Sequence, residues 1–228
     1  MNKYTEIGSR IRAVRVNCGL SQTEFAVKVL ELDTPYNLAS TISKVEAGDR
    51  LPSTSMLFGF ENLPFNLHRE NHPGVSVDFI LFGQINDQVD RISRFPVHKN
   101  SVERNIFIAE CTKVAALIPE DFLISDETLY SECAFRLRQI RKKAHLNQGE
   151  FGIDKSCVSR NECTVDFPDI NFLIHFCRYF HVPADYILFG TYPSLPYPLQ
   201  PLLLDRTYQT QQAILGKFIE LGKEIFQA

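Results

Sequence analysis

The feature that most constrains this chain is that its sequence is written twice. Arg10-Ile11-Arg12-Ala13-Val14-Arg15 returns as Arg136-Leu137-Arg138-Gln139-Ile140-Arg141. Leu20-Ser21-Gln22-Thr23-Glu24-Phe25 returns as Leu146-Asn147-Gln148-Gly149-Glu150-Phe151, at the same offset of 126 residues. Ile42-Ser43-Lys44-Val45-Glu46 then matches Val158-Ser159-Arg160-Asn161-Glu162. Each copy closes on one phrase, Val75-Ser76-Val77-Asp78-Phe79-Ile80-Leu81-Phe82-Gly83 against Val182-Pro183-Ala184-Asp185-Tyr186-Ile187-Leu188-Phe189-Gly190. Four blocks in one order mean a single supersecondary unit, duplicated and then diverged.

Local chemistry makes that unit helical. Ile7, Ile11 and Val14 recur at helical spacing, which predicts a first helix with an apolar stripe and a basic flank. Ser21 stands three before Glu24 and Asn147 three before Glu150, the capping-box spacing that opens a second helix. A third helix carries Ile42, Val45 and Glu46 and ends at Gly48, and Thr34-Pro35 reads as its N-cap and first residue. Pro52 and Pro168 precede further apolar stretches, Met56 to Phe60 and Phe172 to Phe180. The expectation is all-α, with five short helices per copy.

These blocks resemble the XRE, or lambda-repressor-like, helix-turn-helix family. The resemblance covers residues 7–83 and 133–190. It rests on Leu20-Ser21-Gln22, Phe25-Ala26, Ile42-Ser43, Glu46 and Gly48 in the first copy. In the second it rests on Leu146-Asn147-Gln148, Phe151-Gly152, Val158-Ser159 and Glu162, with Thr164 where glycine is usual. The resemblance implies a buried ion pair in each copy, Arg15 with Glu46 and Arg141 with Glu162, holding the first helix to the third. It also implies that the chain reads double-stranded DNA. Gln22, Thr23 and Gln148, at the start of the second helix, would hold phosphate. Asn37, Ser40, Thr41 and Lys44, and in the second copy Lys155, Ser156, Ser159 and Arg160, would face the major groove. Arg50 would hold the backbone. Asparagine suits adenine, and lysine or arginine suits guanine.

The copies depart from the family phrase in opposite directions. Gln22 and Ile42 lie twenty residues apart and Gln148 and Val158 only ten, so the second copy is expected to have a shortened helix two. The division expected is a first domain over 1–84, a helical linker over 85–130 with a helix from Asn100-Ser101 to Leu117, a second domain over 131–191, and a Pro-rich segment with a C-terminal amphipathic helix over 192–228. In that last helix Gln211, Ile214, Phe218, Leu221 and Ile225 step by threes and fours. This fits a coiled-coil seam, with Ile214, Phe218, Leu221 and Ile225 as the contact of a homodimer, or else a helix docked on its own chain.

Totals narrow the function without choosing it. A net charge of −3 does not mark a nucleic-acid binder, because placement of basic residues matters more than their sum. The longest apolar runs are too short for a bilayer and no secretory signal is visible, which places the protein in the cytoplasm with its six cysteines reduced. There is no Gly-rich phosphate loop, HExxH or CxxC, so no enzyme activity or cofactor is expected. His175, Cys177 and His181, with Cys157 or Cys163, have the residue types of a zinc site, but a helix packed into a core explains them better. The reading is a transcriptional regulator of the repressor type acting on a paired or palindromic operator. The alternative is an antitoxin-like or anti-regulator module whose partner is a protein.

Overall fold

The structure is a computed structural model that describes residues 3–30, 38–63, 75–84, 86–95, 100–119, 132–163, 167–204 and 206–226. Among them are twelve α-helices, two 3-10 segments and no strand, so the chain is all-α. No helix of the described residues is long and apolar enough to cross a membrane.

The first repeat contains α1 (Lys3–Asn17), α2 (Gln22–Leu30), α3 (Leu38–Ala47), α4 (Thr54–Phe58) running into a 3-10 segment (Gly59–Asn62), and α5 (Val77–Phe82). The stripe of α1 buries Ile7 and Ile11, with Val14 packed beside them. The capping box of α2 forms as its spacing requires: Ser21 N–H donates to Glu24 Oε2 at 2.8 Å, and Glu24 N–H to Ser21 Oγ at 3.3 Å. Phe25, Ala26 and Val29 of α2 join Ile42 and Val45 of α3 in the core. Helix α3 stops at Gly48, whose φ of +81° favours glycine and whose added Cβ would stand 2.7 Å from the Thr5 backbone. Thr34-Pro35, the expected N-cap and first residue of this helix, lies outside the described residues.

The second repeat contains α8 (Glu132–Lys143), α9 (Lys155–Glu162), α10 (Ile170–Phe180) and α11 (Ala184–Phe189). The expected shortened helix two is not a helix. Residues 148–153 are turns and bends. The capping-box bond survives, Asn147 N–H donating to the Glu150 carboxylate, but no helix follows it. The reason is length: Asp154 already caps α9, accepting from the N–H groups of Ser156 and Cys157 at 2.9 and 3.2 Å. The six residues between the two caps amount to under two helical turns, and the same residues must also redirect the chain into α9. Phe151, the counterpart of Phe25, is buried all the same, against Phe176 and Phe180 with centroids 5.9 and 5.3 Å away.

Segments 85–130 and 192–228 are not independent of each other. The former carries α6 (Asp87–Arg94), which the sequence reading did not foresee, and α7 (Ser101–Leu117), opened by a capping box of Asn100 with Glu103. The latter carries a second 3-10 segment (Tyr197–Leu202) and α12 (Tyr208–Phe226), and α12 packs on both α6 and α7. Phe95, Phe107 and Phe226 form one aromatic cluster there, with centroids 5.3–6.1 Å apart. Gly222 admits the Phe95 ring, since a Cβ would meet it at 2.3 Å.

This packing corrects the dimer seam. Ile214 and Phe218 are fully buried within their own chain, and Leu221 and Ile225 are half-buried against the same core. A three-four spacing defines an apolar face without saying what covers it, and α6 and α7 cover this one. Gln211 fixes the docking, its Nε2 donating to the carbonyls of Gly190 and Leu203 at 2.5 and 2.7 Å.

The two repeats meet through their last helices by exchanging carboxylates. Asp185 of α11 accepts from Val77 N–H and Ser76 O–H, both at 2.7 Å, at the start of α5. Asp78 of α5 accepts from Ala184 N–H at 2.7 Å and Asp185 N–H at 3.2 Å, at the start of α11. Each aspartate thus satisfies helix-end donors of the other copy. Thr54 O–H adds a bond to the Pro168 carbonyl at 2.6 Å, and Phe58 packs between Phe167 and Phe189.

Candidate nucleic-acid interface

The third helix of each repeat is held by the same three residues. Arg15 Nε donates to Glu46 Oε1 at 2.6 Å and Nη2 to Oε2 at 3.1 Å. Arg141 makes the matching pair of bonds to Glu162 at 2.6 and 2.7 Å. The remaining nitrogen, Nη1, donates to the Leu20 carbonyl at 2.8 Å in one copy and the Leu146 carbonyl at 2.7 Å in the other. Two parallel bonds to a carboxylate fix the guanidinium in orientation as well as position, and they raise both arginine pKa values above the ordinary one.

The glutamines expected to meet phosphate turn toward these pairs. Gln22 Nε2 donates to Glu46 Oε2 at 2.9 Å, and Gln148 Nε2 to Glu162 Oε2 at 3.0 Å. Each side chain commits one N–H to fixing the third helix, which leaves its second N–H as the donor a phosphate would meet. In the second repeat Gln148 makes this bond from a turn.

The basic flank of the first helix is also largely structural. Arg10 Nη1 donates to the Ile80 carbonyl at 3.1 Å and pairs with Glu6 at 3.3 Å. Arg136, its counterpart, donates to the carbonyls of Ile187 and Leu188 at 2.8 and 3.0 Å and pairs with Glu132 at 3.2 Å. Both arginines lie against the left-handed glycine that ends the last helix, Gly83 or Gly190. They satisfy orphan carbonyls at a helix C-terminus, where a cation is also favoured by the helix dipole.

What remains outward is a small polar set on each third helix. On α3, Ser40, Ser43 and Lys44 are exposed and Thr41 is half-buried, while Ile42 and Val45 face inward. Lys44 lies in the last turn, and its carbonyl accepts the N–H of Arg50 at 3.2 Å, so these two cationic residues adjoin at one helix end. On α9, Lys155, Ser156 and Arg160 are exposed and Ser159 is half-buried. Lys44 and Arg160 occupy the same place in the two copies. Asp154, the N-cap of α9, is held below the usual carboxylate range by the Ser156 side chain and two backbone N–H groups, so it stays charged beside Lys155. Thr23 is exposed on the first turn of α2. Asn37 lies outside the described residues.

The histidines and cysteines weighed above as metal ligands sit apart in function. No group of three or more His, Cys, Asp or Glu side chains forms a ligand cluster among the described residues. Cys177 is buried, and burial, helped by the nearby Asp78 and Asp185, pushes its thiol pKa well up. His175 bonds the Phe151 carbonyl at 3.2 Å, and His181 is exposed.

Sequence reasoning missed the aspartate exchange. Its signal was present, because Asp78 and Asp185 recur inside two apolar phrases where a lone carboxylate needs partners. Asp185 is 1% exposed and Asp78 6%. Burial pushes the Asp78 carboxyl up to about 6, and burial together with Asp78 pushes Asp185 well up. Compared with known proteins, the chain matches no family model, no curated sequence and no solved structure.

Proposed function

We propose that the chain is a sequence-specific DNA-binding regulator, of the helix-turn-helix type its sequence resembles, and that the third helices α3 and α9 are its reading elements. One observation carries the reading. In both copies an arginine, a glutamate and a glutamine lock the inner face of the third helix, half-buried in the first repeat and with Arg141 and Glu162 buried in the second, while the outer face offers a cation at the corresponding position, Lys44 or Arg160. A rigid helix with a cationic outer face is what base-edge readout in a major groove requires. Paired reading heads, which such proteins ordinarily obtain by dimerising, are here joined within one chain by the aspartate exchange. The functional unit is therefore one chain on a bipartite operator.

The test is binding to the duplex upstream of the chain's own gene, followed across salt concentrations. Expected are a specific shift at one chain per site and affinity falling as salt rises. Lys44→Ala should cost about 1–3 kcal/mol of discrimination, and Arg160→Ala less. Equal affinity of Lys44→Ala and wild type would refute this assignment. The missing helix two of the second repeat favours a second reading for that copy alone, as a surface for a protein partner. An Arg160→Ala chain with unchanged DNA affinity would support it.

A further inference from the structure

A cleft of about 490 Å³ opens where α1, α5, α10 and α12 come together, directly over the junction of the two repeats. Its size falls among small-molecule sites, which run from about 300 to 1,000 Å³. Phe82, Leu81 and Val182 give it an apolar wall. Its cations differ in how they are occupied. Arg10 already has Glu6 and the Ile80 carbonyl. Arg178 is exposed and lies over the Phe82 ring, 5.7 Å from its centroid, and meets no carboxylate among the described residues. The His181 ring likewise has no hydrogen-bond partner among them, although its carbonyl accepts from Tyr208 O–H at 3.4 Å. His181 also ends α10 with φ at +51°, where glycine is the usual residue and a side chain is strained. The chain tolerates that strain and places an imidazole on the cleft that the unanswered guanidinium also lines.

We propose that this cleft binds a small organic carboxylate with an apolar body. The carboxylate is taken by Arg178, which can donate two parallel bonds, and by His181, while the body lies along Phe82, Leu81 and Val182. Asp78 at the cleft does not forbid an anion, because its oxygens already accept from Ala184 and Asp185 N–H. The same contact gives the occupant a lever, since it lies against the carboxylate that joins the repeats. That an occupant alters operator affinity rests on the DNA-binding reading above. The binding itself does not.

Calorimetry on the full chain without DNA, at fixed ionic strength, tests the site with benzoate and its neutral counterpart benzamide. Expected is saturable binding of one benzoate per chain, with benzamide at least about tenfold weaker. Arg178→Gln should weaken benzoate about tenfold or more. His181→Gly keeps the left-handed backbone and should weaken it too, while relieving strain, so lost binding cannot be blamed on misfolding. Absence of saturable benzoate binding, equal binding of benzamide, or unchanged affinity in both variants overturns the proposal. A chain that binds benzoate but no operator would fail only the DNA-binding reading, and the reverse result only this one.

Discussion

The two repeats keep the same clamps and differ in the helix that lies between them in sequence. Arg15 and Arg141, Glu46 and Glu162, Gln22 and Gln148, and the carbonyls of Leu20 and Leu146 make the same bonds in both. Yet the first repeat has a nine-residue α2 and the second has turns in its place. What survived the loss is informative. Phe151 still fills the slot of Phe25, and Gln148 still reaches its glutamate. Fixing the third helix therefore requires the apolar plug and the hydrogen-bonded carboxylate, and helix two is one of two ways to deliver them.

The sharpest way to break that comparison is to remove the glutamate from each copy in turn. Glu162→Ala strands Arg141, and denaturant unfolding should show a loss of about 3–5 kcal/mol. Glu46→Ala should sit at the low end of that range, because Arg15 is somewhat more exposed and α2 remains to brace α3. A larger loss for Glu46→Ala would reverse the ranking.

The closing glycines offer a second, smaller contrast. Alanine at Gly83 or Gly190 must adopt a left-handed backbone, costing about 1–2 kcal/mol in either copy. The new Cβ would also press on Arg10 or Arg136, at 2.7 and 2.8 Å. Arg136 is the more deeply buried of the two, so the thermal midpoint should fall further for Gly190→Ala than for Gly83→Ala.

The junction should impose a pH dependence shared by both copies. Burial raises the carboxyls of Asp78, to about 6, and of Asp185, so the folded chain holds protons that the unfolded chain releases near pH 4. Their contribution to stability is full below about pH 4 and is lost as pH rises through about 6. Cys177, Tyr192 and Tyr208 face the pair and are neutral in that range, and Glu6, Arg10, Arg178 and His181 line the cleft that Asp78 reaches. Asp185→Asn can still accept from Val77 N–H, and its amide can donate to Ser76, so it should fold with a flatter stability profile between pH 4 and 6. Identical slopes in both proteins would contradict a buried acid pair.

The mildest probe perturbs nothing. In hydrogen exchange the amides of α2 should be protected, whereas those of 148–153, lacking a helical ladder, should exchange much faster. Equal protection would restore a second helix to the second repeat.

Much of this was legible because duplication prints each constraint twice. The closing phrases stood out by recurrence, the arginine–glutamate pairs followed from the family resemblance, and Asn100-Ser101 announced the start of α7. The failures share a cause. Asn147 and Glu150 have the spacing of a capping box, but a box states only that donors are satisfied, not that a helix follows. Ile214 and Phe218 define an apolar face, but not that Phe95 and Phe107 lie in the chain's own segment opposite it. Arg10 and Arg136 read as a basic flank because charge is visible in sequence and an orphan carbonyl is not. In each case a local signal was taken to settle what depends on chain length or on partners elsewhere in the chain.

The exchange of aspartates has a consequence in time. Synthesis runs from the first repeat to the second, and Asp185 emerges 107 residues after Asp78. At roughly 5–20 residues per second, the first copy waits on the order of five to twenty seconds for the carboxylate at the start of its last helix. Ser76 bridges the interval, since its hydroxyl accepts from Phe79 N–H without help from elsewhere. Pro183 offers α11 no such local cap, but by then Asp78 has already been made. The copy that is born waiting carries its own stopgap, and the copy that follows is born beside a finished partner.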